Sequence, residues 1–253
     1  MLGRILELRR RRLAEAMAAL PMREVIARAR NQPPARDFRA ALANAKGLGL
    51  IAEIKRATPA KGDIAVKLDP AERARSYAAG GADCLSVLTE GDFFKGSLWD
   101  LSTARAACDL PVLRKDFIVD EYQVWEARAH GADAVLLIVA ALGKLTPHLR
   151  AVARGAGLAA LVEVHEESEL ADAGDAEIVG VNNRNLRTLE MDLTTMERVM
   201  PKSRAAVRVA LSGFKTREDA LKARAAGARA ILVGEEIVKV GDPAPRIREL
   251  KLL

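Results

Sequence analysis

Two side chains of opposite charge stand at the end of the first long apolar run of the sequence. The run reads LIAEIK, and Glu53 and Lys55 interrupt it two residues apart. Successive side chains of a β-strand point to opposite sides, so residues two apart share one face. If that face lines a buried site, a carboxylate and an ammonium group converge there and could exchange protons with a substrate.

The same arrangement recurs at the ends of later apolar runs. Lys115 and Asp116 follow the run PVLR, Glu163 follows AALV, and Asn182 follows GV. His165, two residues after Glu163, is a further candidate for the same face. Polar side chains at the ends of several separate strands indicate one shared site.

Two explanations of these charges remain open at this point. An isolated buried charge is strongly unfavourable, so Glu53 with Lys55, or Lys115 with Asp116, could be structural ion pairs. Three separate strands that end in Lys or Glu are harder to explain by packing. A cluster of both signs also shifts pKa values towards those that acid–base catalysis needs, and we therefore favour a catalytic site.

Two later runs end in glycine turns that suit an anion. Ser212 and Gly213 follow the run VRVAL, and Gly234 follows ILV. Glycine lets backbone N–H groups approach a ligand, and a helix N-terminus favours negative charge. We predict a phosphate site here, provided that the side chains of Glu235 and Glu236 point away from it.

The elements that would position these residues repeat along the chain. Alanine-rich helical stretches end in glycine and lead into short apolar runs near residues 80, 130, 174 and 226. With the runs between them they predict eight strands separated by helices, and about 250 residues is the usual size of an α/β protein with a (β/α)8 TIM barrel. A doubly wound sheet is the rival, but no glycine-rich dinucleotide turn follows the first strand.

The first 48 residues stand outside this repeat. Apolar residues from Leu2 to Leu20 follow helical spacing, Pro21 ends the run, and a second helix is predicted from near Asp37 to near Gly47. We predict an N-terminal helical extension over residues 1–48, packed on a catalytic barrel over residues 49–253. The four arginines at positions 9–12 are interpreted as a solvated helix face.

Composition disfavours several other classes of function. The formal charge of +6 comes from 40 basic and 34 acidic residues, and aromatic residues make up 4%, too few to stack single-stranded nucleic acid. Cys84 and Cys108 lack metal-ligand spacing and are expected to be reduced thiols. No stretch approaches the roughly 20 apolar residues of a membrane span. We expect a cytoplasmic protein that binds neither nucleic acid nor membranes.

Seven motifs, taken in order from about residue 36 onward, resemble those of one enzyme family. They read IAEIKRATPAKGDI, LSVLTEGDFFKGS, PVLRKDFIVDEYQV, ADAVLLIVAAL, LVEVHEESEL, GVNNRNLRTLEMDL and LVGEEIVKVGDP. They are similar to the motifs of indole-3-glycerol phosphate synthase, a lyase of tryptophan biosynthesis. The resemblance implies conversion of 1-(2-carboxyphenylamino)-1-deoxyribulose 5-phosphate to indole-3-glycerol phosphate, with loss of carbon dioxide and water and without a metal or an organic cofactor.

The resemblance also implies roles for the charged residues. Lys115 matches the acid that protonates the ribulose carbonyl during ring closure. Glu163 matches the residue that stabilises the cationic intermediate and takes part in proton transfer. Lys55 would hold the anthranilate carboxylate and take part in the dehydration, with Glu53 as its acid–base partner. Asn182 belongs to the same catalytic set.

Further residues are assigned to substrate binding by the same resemblance. Arg184, beside Asn182, would bind the hydroxyl and carboxylate region of the substrate. The apolar slot for the aromatic ring is predicted to be lined by Phe94, Phe117, Leu136, Leu186 and Leu189. The phosphate cradle is predicted to consist of Thr58, Ser212, Gly213, Gly234 and Glu235, the last through its backbone.

Thr58 replaces the serine that is usual in the family and keeps its hydroxyl, and three further positions depart from the family pattern. Leu211 stands where glutamate is usual, Glu236 where serine is common, and Lys95 where asparagine is common. Because Leu211 removes a polar contact to the central charges, a variant of reduced activity that binds phosphorylated metabolites is one alternative. Another phosphosugar barrel enzyme, either an isomerase or an aldolase that forms a Schiff base at Lys115, is the second. We expect a monomer or a weak homodimer.

Overall fold

Eight apolar segments form parallel strands that close into a barrel in the computed structural model, which describes residues 1–253. The strands are β1 (Gly49–Ile54), β2 (Cys84–Leu88), β3 (Val112–Lys115), β4 (Ala134–Ile138), β5 (Ala159–Val164), β6 (Ile178–Asn182), β7 (Val207–Leu211) and β8 (Ala230–Val233). Each strand pairs with its neighbour in sequence, and the pairing of β1 with β8 closes the ring. The predicted (β/α)8 TIM barrel is therefore confirmed.

Helices precede the first strand, connect the strands and end the chain. Before β1 lie α1 (Leu2–Ala19), α2 (Met22–Arg30) and α3 (Phe38–Ala43). The later helices are α4 (Pro70–Gly80), α5 (Leu98–Ala107), α6 (Glu121–Ala129), α7 (Val139–Leu142), α8 (Thr146–Gly155), α9 (Leu170–Ala173), α10 (Thr194–Val199), α11 (Arg217–Ala225), α12 (Glu235–Val238) and α13 (Ala244–Leu250). Three short 3₁₀ turns (Gly143–Leu145, Glu167–Glu169 and Met200–Lys202) and one hairpin, which pairs Ala57–Thr58 with Gly62–Asp63, complete the structure.

Alternation along each strand divides the buried apolar residues into two clusters. In β4, Val135 and Leu137 point outwards and join the cluster between strands and helices, whereas Ala134, Leu136 and Ile138 point into the barrel. Burying a large apolar side chain contributes about 1.5–3 kcal/mol to stability. The barrel interior is therefore a packed core, and its C-terminal mouth is left for binding and chemistry.

The N-terminal helices pack across both ends of the barrel. Ile5 of α1 lines the cavity at the C-terminal mouth. Phe38 and Leu42 of α3 pack at the opposite end, where the guanidinium of Arg229, just ahead of β8, donates to the carbonyl oxygen of Ala43 at 3.1 Å. Ile5, Phe38 and Leu42 belong to the same hydrophobic cluster as the barrel interior. The extension and the barrel therefore share one core.

The predicted solvated arginine face of α1 is wrong for Arg9, whereas the other three arginines are exposed. Arg9 donates to the buried carboxylate of Asp116 at 2.8 Å, and its side chain is only 12% exposed. Arg12 pairs with Asp92 at 2.9 Å. Both aspartates belong to loops at the barrel mouth, so these ion pairs tie α1 across it. Helical spacing alone could not show that this face meets acidic loops distant in sequence.

The second predicted helix begins where the sequence placed it but ends earlier. The side chain of Asp37 accepts the N–H of Ala40 at 2.8 Å and so caps α3. The helix ends at Ala43, because the chain must turn at Gly47, whose φ of +67° favours glycine, before entering β1. None of the helices combines the length and the hydrophobicity needed to cross a lipid bilayer.

Candidate active site

A cavity of about 610 Å³ occupies the C-terminal mouth of the barrel. Every predicted site residue except Leu136 lines it. Leu136 points into the barrel as its alternation requires, but it is 1% exposed and lies one layer deeper. Ile138, two residues nearer the end of β4, lines the cavity wall where Leu136 was predicted, and Leu136 supports it from below.

Glu53 and Lys55 form an ion pair in the cavity wall. The ammonium nitrogen of Lys55 lies 2.5 Å from Oε1 of Glu53, which is buried at the end of β1. Burial raises the pKa of Glu53, but the positive charges of Lys55 and Lys115 outweigh it and hold this pKa below its ordinary value. Glu53 and Lys55 are therefore paired with each other and also line the cavity.

Gly234 packs against this ion pair. A Cβ atom at Gly234 would lie 2.5 Å from Oε1 of Glu53 and 2.9 Å from Nζ of Lys55. Contacts this short would displace one or both side chains. The absence of a side chain at Gly234 therefore leaves room for the side chains of Glu53 and Lys55. It also leaves the backbone N–H of the turn accessible.

Lys115 and Asp116 do not form the ion pair that the sequence left open. Lys115 lines the cavity, whereas Asp116 points away from it and pairs with Arg114 at 3.0 Å and Arg9 at 2.8 Å. The two side chains diverge because successive residues of a strand face opposite sides. Asp116 thus belongs to an ion-pair cluster outside the cavity, and of the two residues only Lys115 lines the cavity.

Glu90, which also follows a strand, serves the loop rather than the cavity. Its carboxylate accepts the backbone N–H groups of Asp92, Phe93 and Phe94 at 2.8–3.0 Å. These bonds fold the loop that carries Phe94 into the cavity. Sequence position alone could not separate this role from an acid–base one.

Glu163 is a buried carboxyl group with one free oxygen. Its Oε1 accepts the side-chain amide of Asn182 at 2.8 Å, while its buried Oε2 has no hydrogen-bond partner. Burial raises the pKa of Glu163, and the nearby charge of Lys115 offsets this only in part. A carboxyl group whose pKa is raised keeps its proton to higher pH than an ordinary carboxyl group, which suits a group that must both donate and accept protons.

Apolar side chains form one side of the cavity. The rings of Phe94 and Phe117 lie 6.2 Å apart and are tilted by 39°. Leu186, Leu189 and Ile5 complete this side. Ile5 was missed because its helical spacing indicates a buried face without showing that this face meets a loop after β6. Together they form a slot for a flat aromatic group.

Arg184 lies at the start of the loop after β6. Its backbone N–H donates to Oδ1 of Asn182 at 2.9 Å, and its guanidinium donates to the carbonyl oxygen of Leu189 at 3.0 Å. The side chain thus folds over its own loop while it lines the cavity. The side chain of Asn182 therefore bonds both to this loop, through its oxygen, and to Glu163, through its nitrogen.

Two glycine turns after β7 and β8 form the opposite end of the cavity. The N–H groups of Gly213 and Gly234 donate to no backbone or side-chain acceptor. Ser212 and Gly213 have φ angles of +69° and +96°, which turn the chain sharply at the end of β7. Free N–H groups on neighbouring strands suit a phosphate.

The two glutamates near this end are paired with cations. Glu235 lies 2.6 Å from Nζ of Lys61, and Glu236 lies 3.5 Å from the guanidinium of Arg246. The bond from Lys61 lowers the pKa of Glu235 below its ordinary value. The repulsion that these carboxylates would exert on an anion is therefore reduced.

The hairpin of residues 57–63 is tied to both sides of the mouth. Lys61 bridges to Glu235, and Asp63 lies 2.5 Å from Nζ of Lys95. Thr58, on the same hairpin, lines the cavity. Lys95, which departs from the family pattern, thus gains a partner on the hairpin.

Leu211 faces the barrel interior and lines the cavity. It fills the space beside Gly180, where an added Cβ would lie 2.8 Å from Cδ1 of Leu211 and 3.2 Å from Cδ1 of Leu161. The structure places Leu211 in the apolar layer of the barrel interior, at the edge of the cavity.

The chain is similar to known proteins in sequence and in fold. The model of the family "Indole-3-glycerol phosphate synthase" matches residues 2–250. A relative from Streptomyces coelicolor, "Indole-3-glycerol phosphate synthase 1", is 50% identical and covers 94% of this chain and 90% of its own length. An indole-3-glycerol phosphate synthase from Chromobacterium violaceum is 47% identical, and the alignment covers 98% of this chain and 97% of that relative. The solved structure of a thiamine phosphate pyrophosphorylase from Pyrococcus furiosus shares the fold, with a TM-score of 0.62 at 18% identity over 85% of this chain and 96% of that one.

Proposed function

Because the chain belongs to the indole-3-glycerol phosphate synthase family, we propose that the groups at its barrel mouth carry out the steps of that reaction. The enzyme is a carboxy-lyase of tryptophan biosynthesis. It converts 1-(2-carboxyphenylamino)-1-deoxyribulose 5-phosphate to indole-3-glycerol phosphate, carbon dioxide and water. Family membership favours this activity over the phosphosugar isomerase and aldolase alternatives.

The substrate is proposed to lie across the cavity from the apolar slot to the glycine turns. Its aromatic ring would pack against Phe94 and Phe117, and its phosphate would accept the free N–H groups of Gly213 and Gly234. This orientation places the ribulose carbon chain over the central charges. Holding the reacting atoms in this geometry contributes to the rate by removing motional freedom before reaction.

Ring closure requires a proton at the ribulose carbonyl oxygen while the aryl carbon attacks the carbonyl carbon. We assign this proton to Lys115, the ammonium group that points into the cavity from the end of β3. The carbon–carboxylate bond then breaks, carbon dioxide leaves, and the electron pair restores the aromatic ring. Before carbon dioxide leaves, the cationic intermediate formed by ring closure would be stabilised by the negative charge of Glu53, whose pKa is held below its ordinary value.

Dehydration then removes the former carbonyl oxygen as water and a proton from the neighbouring methylene carbon. Two acid–base groups are available for these transfers: Glu163, whose pKa is raised by burial, and the Glu53–Lys55 ion pair. Lys55 is also placed to hold the substrate carboxylate before it leaves. The observation that carries the proposal is the convergence of Lys115, Glu163 and this pair on one cavity.

The direct test is the fluorescence of the indole product after addition of the carboxyphenylamino-deoxyribulose phosphate. Turnover would support the proposal, and its absence with a folded enzyme would support the alternative of a reduced-activity variant. Borohydride in the presence of substrate separates the aldolase mechanism, because a Schiff base at Lys115 would be trapped as a stable adduct. We expect no adduct.

We further propose that residues 1–48 act as an extension of the barrel of residues 49–253, and that the enzyme is a monomer or a weak homodimer of the cytoplasm. The free thiols of Cys84 and Cys108 and the biosynthetic family support a reducing compartment. Light scattering across a range of protein concentrations tests the oligomeric state. A concentration-independent tetramer would contradict it.

A further inference from the structure

A second cavity adjoins the main one at Glu163. It has a volume of about 350 Å³ and lies among the loops that follow β4, β5 and β6. Ile138, Glu163 and Leu186 line both cavities. Glu163 therefore stands at the boundary between the substrate cavity and this side cavity.

One oxygen of the Glu163 carboxyl group accepts a hydrogen bond, and the other has no hydrogen-bond partner. Asn182 occupies Oε1, whereas Oε2 is buried without a hydrogen-bond partner. A buried polar atom without a partner is unfavourable, and ordered water commonly satisfies such atoms. The side cavity is large enough for several water molecules on the scale that one water requires.

The walls of the side cavity are mostly polar. His165, Glu166, Ser168 and Glu169 line it from the loop after β5, and Arg187 lines it from the loop after β6. Ser168 and Arg187 are exposed, so this lining continues to the surface. Polar partners along the wall are what a chain of water molecules requires.

The reaction itself consumes a proton. Two protons are added to the oxygen that leaves as water, one is removed from the methylene carbon, and the carboxylate leaves as neutral carbon dioxide. One proton per turnover must therefore come from solvent. The substrate occupies the main cavity at that time, and α1 and the hairpin of residues 57–63 lie across its mouth.

We propose that the side cavity is a water-filled passage that delivers protons from solvent to Glu163 while substrate fills the main cavity. In each turnover the carboxyl group gives its proton to the leaving hydroxyl, becomes a carboxylate, and is protonated again through water in the passage. The inference rests on the proposed acid–base role of Glu163. Burial raises the pKa of Glu163, which is the direction that a proton donor requires.

Narrowing the passage without touching the main cavity tests the proposal. Ala140, on α7, lines only the side cavity, and Ser168 lies at its exposed rim. We expect Ala140→Phe to lower kcat about tenfold, less than the ~10²- to 10⁴-fold of a lost proton donor, because some protons still enter past the substrate. KM should be unchanged and the solvent deuterium isotope effect on kcat should increase. Ser168→Phe should act in the same direction if Ala140→Phe folds poorly.

Two controls make the outcomes distinct. Ala171→Phe makes the same enlargement on the exposed face of α9 and should retain parental kinetics. Inhibition by inorganic phosphate should be unchanged in both passage variants, since the glycine turns are untouched. Suppose that Glu163→Gln abolishes turnover while the folded passage variants keep the parental kcat and isotope effect. That result would contradict the proposed proton passage and would still support the acid–base role of Glu163. If Glu163→Gln turns over normally, both proposals fail.

Discussion

The side-chain amide of Asn182 donates to Oε1 of Glu163 at 2.8 Å, and its amide oxygen accepts the N–H of Arg184 at 2.9 Å. Asn182 is 5% exposed and holds both partners at the ends of neighbouring strands. Burial raises the pKa of Glu163, and the bond from Asn182 opposes that rise because it stabilises the carboxylate. Asn182 is therefore a positioning residue that also tunes the protonation of Glu163.

Asn182→Ala should raise the pKa of Glu163 further, since the carboxylate loses its donor. If Glu163 acts as a base, the acid limb of the kcat/KM profile should therefore move to higher pH, because a hydrogen bond to a charged group stabilises the charged form. Asn31→Ala, on the surface at the end of α2, serves as the control. An unchanged pH profile of kcat/KM would contradict the proposed effect of Asn182 on the pKa of Glu163.

Lys115→Ala should remove the acid for ring closure with little effect on the fold. The expected loss in kcat is about 10²- to 10⁴-fold, the usual contribution of one positioned proton donor. Lys222→Ala, an exposed substitution on α11, should be neutral. Steady-state kinetics and the melting temperature are the measurements, and turnover near the parental rate would contradict the assignment.

Gly234→Ala should displace the charged side chains of Glu53 and Lys55 by direct contact, without straining the backbone at position 234. The added Cβ would lie 2.5 Å from Oε1 of Glu53 and 2.9 Å from Nζ of Lys55. Because a displacement of about 1 Å at a site can cost about 10²-fold, kcat/KM should fall by at least that factor. Gly241→Ala, where a Cβ would meet no atom within 4 Å, is the matched control. Equal kinetics for the two variants would contradict the role of Gly234.

Inorganic phosphate should compete with substrate for the glycine turns after β7 and β8. The free N–H groups of Gly213 and Gly234 provide donors, and the pairing of Glu235 with Lys61 reduces repulsion. A substrate analogue without the phosphate should bind much more weakly. Chloride at the same ionic strength controls for screening. If the analogue and the substrate bind equally well, the phosphate does not occupy this end of the cavity.

The repeat of apolar runs and glycine-ended helices was sufficient to predict the barrel, because strand alternation and helix ends are local properties. The same locality explains the errors. Leu136 and Ile138 share a face, but which of them reaches the mouth depends on the stagger of the closed sheet, which no single strand encodes. The contacts of Ile5 and Arg9 with distant loops follow from how α1 crosses the barrel. The side cavity likewise arises between loops and leaves no pattern in the sequence.

Leu211 provides the sharpest test of whether the departure from the family pattern weakens catalysis. It faces the barrel interior and packs beside Leu161 and Gly180, while Lys55 already has a partner in Glu53. We therefore expect Leu211→Glu to bury a charge in an apolar layer and to cost about 1–3 kcal/mol of stability. For a protein of this size each kcal/mol lowers Tm by roughly 2–4 °C. We expect no gain in kcat.

Leu211→Gln, which has nearly the same shape without the charge, separates the effect of charge from that of packing. If the charge is responsible, the glutamine variant should lose less stability than the glutamate variant, and the loss in the latter should shrink as the pH falls and the carboxyl group becomes protonated. Tm measured across pH and kcat at neutral pH are the readouts. A higher kcat for Leu211→Glu, with its pH profile shifted and phosphate inhibition unchanged, would instead show that the leucine interrupts a catalytic network built around Lys55 and Lys115.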